Sequence, residues 1–141
     1  MFDILLIEDN PGDIRLTKEA LKEGEVPHSL HLATDGEMAL KYLFRESPYE
    51  NSVRPDIILL DWNLPKKNGK EVLKNIKSNL NLRQIPVLVL TTSNAETDIE
   101  QAYQHHANCF ITKPADFEQF LEVIQSIKRF WLHTVNLPTR E

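Results

Sequence analysis

The chain has 141 residues with a formal net charge of −5, a length that suits one domain with a sizeable core. Its hydrophobic fraction of 41% and charged fraction of 26% are typical of globular proteins and exclude a disordered or fibrous chain. The mildly acidic balance, without any basic block, argues against binding to nucleic acid or to an anionic membrane.

Five short segments predict β-strands. Three of them, residues 4–7, 57–60 and 87–90, are continuous apolar runs, and residues 29–33 and 109–112 are weaker candidates. Continuous runs of this length are typical of strands that are buried on both faces of a parallel sheet.

Helical patterns lie between these strands. Asn10 followed by Pro11 predicts the start of the first helix, because Pro is favoured at the first helical position. Two capping boxes, each a hydroxyl residue followed three positions later by Glu, predict further helix starts. They are Thr34 with Glu37, and Ser93 with Glu96.

Two more helices are predicted over residues 70–80 and from about Asp116 onward. The last helix carries apolar residues at helical spacing on one face, namely Phe117, Phe120, Leu121, Ile124, Ile127 and Trp131. Alternation of strand and helix predicts an α/β fold, a doubly wound five-stranded parallel sheet with helices on both faces. Residues 45–54 are polar and predict an exposed loop.

Acidic residues follow two of the predicted strands directly. Glu8 and Asp9 follow the first strand and Asp61 follows the third. Ligands of open parallel sheets bind beyond the carboxyl ends of the strands, where these carboxylates would repel one another unless a cation lay between them. An all-oxygen ligand set favours Mg²⁺ over zinc or copper. The alternative is that these residues are helix caps, and Asp9 alone could be one.

A cation and a hydroxyl are predicted at the same end of the sheet. Lys113 follows the fifth strand and Thr91 lies at the end of the fourth. Opposite a metal, these two groups suit the oxygens of a phosphoryl group. Asp61 is then the predicted acceptor, because carboxylates can form aspartyl phosphates.

The segments around these residues carry a wider pattern. They are residues 4–10, 56–65, 68–69, 86–92 and 110–114, and they read ILLIEDN, DIILLDWNLP, NG, PVLVLTT and FITKP. In this order and spacing they resemble the receiver domain of bacterial two-component response regulators, over about residues 1–128. The resemblance implies a flavodoxin-like sheet of strand order 2-1-3-4-5.

The resemblance also implies roles for single residues. Asp61 matches the phosphorylated aspartate, and Glu8 and Asp9 match the acidic pair that binds Mg²⁺ together with Asp61 and the backbone carbonyl of Asn63. The partner implied is a sensor histidine kinase. The chain would be a phospho-acceptor signalling protein rather than an enzyme, with Mg²⁺-assisted phosphorylation and dephosphorylation of itself.

Further matches concern the response to phosphorylation. Lys113 matches the lysine that contacts the phosphoryl group, in a bond to Pro114 that is typically cis in the family. Thr91 and Phe110 match the hydroxyl and aromatic switch positions, so that movement of Thr91 toward the phosphoryl group changes the protein surface. The alternative for Phe110 is an ordinary core residue.

The last helix and the loop at residues 45–54 resemble those of single-domain regulators of cyanobacterial phytochromes, which implies a phytochrome as the kinase. Because Phe130, Trp131 and Leu132 are consecutive, a helix cannot bury all three against one core, and they are candidates for a homodimer interface. The alternative is that Trp131 packs on its own domain. We expect a receiver domain over residues 1–133 and a short, partly disordered tail over 134–141, without an output domain.

Other function classes fit less well. A phosphatase that uses an aspartyl phosphate, of the haloacid-dehalogenase type, needs a second acid where Asn63 stands. A structural receiver that is never phosphorylated would have a degraded site, whereas the predicted site residues are all present. Flavin binding is disfavoured by Glu8 and Asp9, and no P-loop motif occurs.

The predicted compartment is the cytoplasm. The N-terminal residues lack the basic start and cleavage site of a signal peptide, and no apolar run approaches the roughly 20 residues that span a bilayer. A single cysteine, Cys109, excludes an internal disulfide framework and a cysteine-rich zinc site.

Overall fold

The computed structural model describes residues 1–23 and 26–138. Within them, five parallel strands form one sheet of order β2-β1-β3-β4-β5. This confirms the predicted fold class and strand order. The strands are β1 (Phe2–Ile7), β2 (His28–Ala33), β3 (Ile57–Leu60), β4 (Val87–Thr91) and β5 (Cys109–Thr112).

Five α-helices alternate with the strands, and a π-helix at Lys128–Thr134 continues the last of them. The α-helices are α1 (Pro11–Lys22), α2 (Gly36–Leu43), α3 (Gly69–Lys77), α4 (Glu96–Gln104) and α5 (Phe117–Ile127). Helices α2, α3 and α4 pack on one face of the sheet, and α1 and α5 pack on the other.

The continuous apolar runs are explained by these two helical layers. Along β1, Leu5 and Ile7 belong to the core on the α2–α4 side, whereas Ile4 and Leu6 belong to the core on the α1 and α5 side. Neighbouring side chains of a strand point to opposite faces, so both sets must be apolar. Each such buried side chain contributes about 1.5–3 kcal/mol of hydrophobic free energy.

Both predicted capping boxes were wrong. Helix α2 is capped by Asp35, whose carboxylate accepts from the Met38 backbone N–H at 2.7 Å, because the helix begins one residue later than Thr34 requires. Helix α4 begins after Ala95 and has no side-chain cap. The Ser93 hydroxyl lies two residues before Ala95 and donates to Asp98 at 2.6 Å instead.

Two helix ends also differ from the prediction. Helix α3 ends at Lys77, and Leu80 is 73% exposed beyond it, because Ser78 closes the helix with a hydroxyl bond to the Lys74 carbonyl. In the C-terminal segment the buried face of α5 continues at Leu132 and not, as predicted, at Trp131, which is half-buried. A π-helix takes more residues per turn, so the side chain that follows Ile127 onto the core face is the one five positions later.

The C-terminal tail is described in part. Residues 135–138 are described, and Leu137 packs against the core on the α1 and α5 side. Residues 139–141 lie outside the described part of the chain. Residues 45–54 are mostly exposed.

Candidate functional site

Three carboxylates meet at the carboxyl end of the sheet. Strands β1 and β3 are neighbours in register, with Ile7 beside Leu60, so Glu8 and Asp61 leave the sheet side by side. One carboxylate oxygen from each of Glu8, Asp9 and Asp61 lies within 4.8 Å of the others. Glu8 and Asp61 are buried, whereas Asp9 is exposed and gives solvent ions access to the group.

Lys113 follows β5 and brings an ammonium into this acidic group. Its Nζ is hydrogen-bonded to Glu8 and lies 2.9 Å from an Asp13 oxygen and 3.4 Å from an Asp61 oxygen. The side chain of Lys113 is 4% exposed, so these carboxylates replace the water that it has lost. One ammonium serves three carboxylates, and the local charge is therefore negative.

The shifts of two pKa values follow from this arrangement. Burial, together with the adjacent Asp61, raises the pKa of Glu8 to about 7, although Lys113 opposes the shift. Burial alone would lower the pKa of Lys113, but its bonds to Glu8 and Asp13 and the charge of Asp61 raise it above the ordinary value. Keeping Glu8 ionised is therefore costly in the absence of a further cation.

The residues after β3 form a turn that is held by close backbone packing. The Asn63 N–H donates to Asp61 Oδ1 at 3.2 Å, and the Gly69 N–H donates to the Trp62 carbonyl at 2.9 Å. A Cβ on Gly69 would lie 2.6 Å from the Asp61 carbonyl oxygen. A Cβ on Gly36 would lie 1.8 Å from the Lys67 carbonyl oxygen, so glycine is required at both positions.

Thr91 ends β4, and Phe110 lies on β5, the strand that pairs with β4. Thr91 is fully buried, and its carbonyl accepts from the Lys113 backbone N–H at 2.6 Å. Phe110 is half-buried and meets the Trp62 ring edge-on, with ring centroids 6.4 Å apart. The Phe110 N–H donates to the Tyr103 hydroxyl at 3.1 Å, which ties β5 to α4.

The donor set fits a divalent cation of the hard type. Glu8, Asp9 and Asp61 offer oxygens alone, and the excess of negative charge over the one ammonium is of the sign that a cation relieves. Backbone N–H groups at Asn10 and Asn63 hold Glu8 and Asp61 at 3.2 Å each.

Sequence reasoning missed Asp13. This residue lies three positions after Asn10, the cap of α1, and therefore in the helical turn nearest the carboxyl end of the sheet. That position was the available signal, because the first turn of a helix directly after a strand lies over the strand end. The contact with Lys113 joins residues 100 positions apart in the chain and could not be read from spacing.

The model of the response regulator receiver domain family matches residues 4–125. The chain belongs to this family. As a receiver domain it is a signalling module of the two-component type, and the resemblance seen in the sequence is confirmed.

Response regulator Rcp1 is similar to this chain in both sequence and structure. The receiver is 48% identical to response regulator Rcp1 of Synechocystis sp., over 96% of this chain and 92% of that protein. The crystal structure of Mn²⁺-bound Rcp1 aligns with a TM-score of 0.96 and 47% identity, covering 99% of this chain and all of that one.

A second solved relative is the phosphorylated cyanobacterial phytochrome response regulator RcpA. It aligns with a TM-score of 0.96 and 50% identity, over 98% of this chain and 99% of its own. One solved relative thus holds a divalent cation and another is phosphorylated, which are two properties expected of the receiver family.

Three further expectations from the sequence have different outcomes. Phe130 is 53% exposed, and Trp131 is half-buried and packs against the core of its own domain, as the alternative interpretation predicts. Leu132 is 5% exposed and belongs to the core, so it cannot contribute to an interface. The bond between Lys113 and Pro114 is trans; among the described residues the cis bond is Ser47–Pro48. No helix in the described residues has the length and apolarity needed to cross a bilayer.

Proposed function

We propose that this receiver accepts a phosphoryl group from a phosphohistidine of a sensor kinase onto Asp61. The observation that carries the proposal is the position of the Asp61 carboxylate, 3.4 Å from the Lys113 ammonium and within 4.8 Å of oxygens of Glu8 and Asp9. Such a carboxylate has a cation beside it and acidic groups that favour a metal, which together suit phosphoryl transfer.

The chemistry assigned to the chain is a displacement at phosphorus. An Asp61 oxygen attacks the phosphorus, the P–N bond of the phosphohistidine breaks, and the imidazole keeps the electron pair and takes a proton from solvent. Lys113 pairs with one phosphoryl oxygen and the Thr91 hydroxyl donates to another. Attack by water later breaks the new P–O bond and returns the Asp61 carboxylate with inorganic phosphate.

The proposed cofactor is Mg²⁺. When bound, it would be held by Glu8, Asp9, Asp61 and the backbone carbonyl of Asn63, and it would neutralise charge on the phosphoryl oxygens. The Mn²⁺-bound structure of Rcp1 supports a divalent cation in a close relative.

The proposed output is a change of surface around β5. Movement of Thr91 toward the phosphoryl group gives Phe110 room to turn inward. Because the Phe110 N–H is bonded to Tyr103, the movement is passed to α4. The proposed receiver domain covers residues 1–133 and is followed by a short tail.

The proposed kinase is a phytochrome, and the proposed assembly is a homodimer through the last helix. The first proposal is supported by the likeness to RcpA, a phytochrome response regulator. The second is supported by the exposed Phe130, which meets Trp131 edge-on at 5.5 Å. Both rings line a shallow cavity of about 550 Å³ with Ile111 and Val123. Light scattering of wild type and Phe130→Ser tests the dimer, which the substitution should weaken.

Labelling by acetyl phosphate tests the acceptor. We expect wild type to acquire an acid- and base-labile phosphoryl group in the presence of Mg²⁺, and Asp61→Asn to acquire none. Glu100→Gln removes an exposed acid from α4 and is the matched control, with unchanged labelling. Labelling of Asp61→Asn at the wild-type level would show that Asp61 is not the acceptor. Steady release of phosphate from phosphate esters would favour a phosphatase instead.

A further inference from the structure

Asp13 is fixed in place by the first turn of α1. Its backbone N–H donates to the Asn10 side chain at 3.0 Å, and its carbonyl accepts from the Thr17 hydroxyl at 2.7 Å. Thr17 is buried, so this second bond is anchored in the core. The Asp13 carboxylate therefore extends from a rigid backbone to meet the Lys113 ammonium at 2.9 Å.

The hydrogen-bonding capacity of Lys113 is already filled. An ammonium has three N–H donors, and Lys113 faces Glu8, Asp13 and Asp61. A phosphoryl oxygen on Asp61 can bond to this ammonium only if one of these contacts is given up. Reaching the phosphoryl group is therefore an exchange of partners for Lys113.

The exposure of the three carboxylates indicates which contact is given up. The Asp13 side chain is 24% exposed, compared with 4% for Glu8 and 10% for Asp61. A carboxylate that loses its partner is stabilised by water, and the most exposed of the three gains that water most easily. Of the two carboxylates that phosphorylation of Asp61 leaves unmodified, Glu8 and Asp13, Asp13 is thus the partner that Lys113 leaves at the lower cost.

We propose that Asp13 is a positioning residue that retains the Lys113 ammonium in the unmodified receiver and competes for it with the phosphoryl group on Asp61. The inference rests on the proposed function and adds to it a carboxylate outside the expected acidic pair. Asp13 would then affect the balance between the unmodified and the phosphorylated state, because the ion pair between Asp13 and Lys113 must break whenever Asp61 is phosphorylated.

The test uses beryllofluoride, an anionic mimic of a phosphoryl group, together with saturating Mg²⁺. Binding is followed by the fluorescence of Trp62, which adjoins Asp61, in a Trp131→Phe background. Asp13→Asn keeps the shape of the side chain, and we expect it to tighten beryllofluoride binding about tenfold, since one charged competitor for Lys113 is lost. Labelling by acetyl phosphate should become faster in parallel. Glu19→Gln, which removes an exposed carboxylate from the same helix, is the control and should leave both unchanged.

A second background separates positioning from simple repulsion. In Lys113→Gln there is no ammonium to compete for, so Asp13→Asn should change beryllofluoride binding less than twofold there, as a double-mutant cycle requires. An equal effect in both backgrounds would mean that Asp13 acts through its charge alone and would overturn the proposal, as would weaker or unchanged binding in Asp13→Asn. If labelling depends on Asp61 but not on Asp13, only this inference fails; if wild type is not labelled at Asp61, the proposed function fails with it.

Discussion

At the carboxyl end of the sheet, Glu8, Asp9, Asp13 and Asp61 lie around the single ammonium of Lys113. At the amino end, buried charges have local partners instead. Asp3 accepts from His31 Nε2 at 3.0 Å, and the Asp56 carboxylate accepts from the Asp3 backbone N–H at 2.7 Å.

Lys77 shows the same pattern at the amino end. Its Nζ donates to the carbonyls of Arg83 and Ile85 at 3.0 and 2.9 Å and to the Asn108 side chain at 3.2 Å. Burial lowers the pKa of Lys77 to about 8, yet its hydrogen bonds are made within the fold. One end of the sheet thus balances its polar groups internally, and the other leaves an excess of negative charge. That excess is what marks the functional end.

The first prediction concerns the pH dependence of stability that the carboxyl end produces. Because the pKa of Glu8 is about 7 in the folded protein and 4.5 for a solvent-exposed glutamate of the unfolded chain, the folded state binds more protons between these values. Ionisation of Glu8 should therefore lower the free energy of unfolding of the metal-free protein by up to about 3 kcal/mol as the pH rises through this window.

Urea unfolding of wild type and Glu8→Gln from pH 4.5 to 8 measures this contribution. The difference in stability between the two should move in favour of Glu8→Gln as the pH rises. A constant difference would contradict the account of the carboxyl end. For the control Glu100→Gln, which retains Glu8, the difference in stability from wild type should not change with pH.

The second prediction concerns the amino end, where removal of a charge should destabilise. Asp3→Ala should lower the free energy of unfolding by about 2 kcal/mol, because His31 loses its buried acceptor. Asp3→Asn retains an acceptor oxygen and should lower the free energy of unfolding by less than Asp3→Ala does. Mg²⁺ affinity should be unchanged in both variants, since Asp3 lies at the other end of the strand; a large change in Mg²⁺ affinity would show that the two ends are coupled.

The third prediction concerns cation binding. A metal ligand must be deprotonated, so Mg²⁺ affinity should be about tenfold weaker at pH 6 than at pH 8, given the pKa of Glu8 of about 7. Titration of Trp62 fluorescence in the Trp131→Phe background measures it. Glu8→Gln should bind Mg²⁺ more weakly and lose most of this pH dependence, and an undiminished dependence would assign it to another group.

The smallest effect is expected at Lys128, the exception to the pattern of the amino end. Lys128 is 4% exposed, and its Nζ has no hydrogen-bond partner among the described residues. Lys128→Met retains a long, unbranched side chain and removes the buried charge. It should raise the free energy of unfolding by about 1 kcal/mol. Thermal unfolding measures the gain, with the exposed Lys18→Met as control. A loss of stability would show that the ammonium has a stabilising partner.

Much of the fold was predictable because it depends on local patterns. The apolar runs at β1, β3 and β4 are continuous, since each of these strands is covered on both faces. The carboxylates that follow β1 and β3 could be placed together because parallel strands end on the same side of the sheet. Thr91 and Lys113 could be placed there for the same reason.

The errors concern features that depend on one residue of register or on distant contacts. The capping boxes at Thr34 and Ser93 were displaced because a single residue decides which oxygen reaches the helix. Leu132 was assigned to a candidate interface rather than to the core because the sequence does not reveal a π-helix. The pairs Asp13 with Lys113 and Asp3 with His31 join separate elements, and no periodicity indicates them.

The glycine at the start of α2 has a consequence for motion. Since Gly36 leaves no space between this helix and the Lys67 carbonyl, and the Gly36 N–H also donates to the Pro65 carbonyl at 3.3 Å, the turn after Asp61 and the start of α2 behave as one rigid unit. Any displacement of this turn during a signalling cycle must move α2 as well. A spectroscopic probe on α2 would therefore detect changes at Asp61, on the other side of the turn.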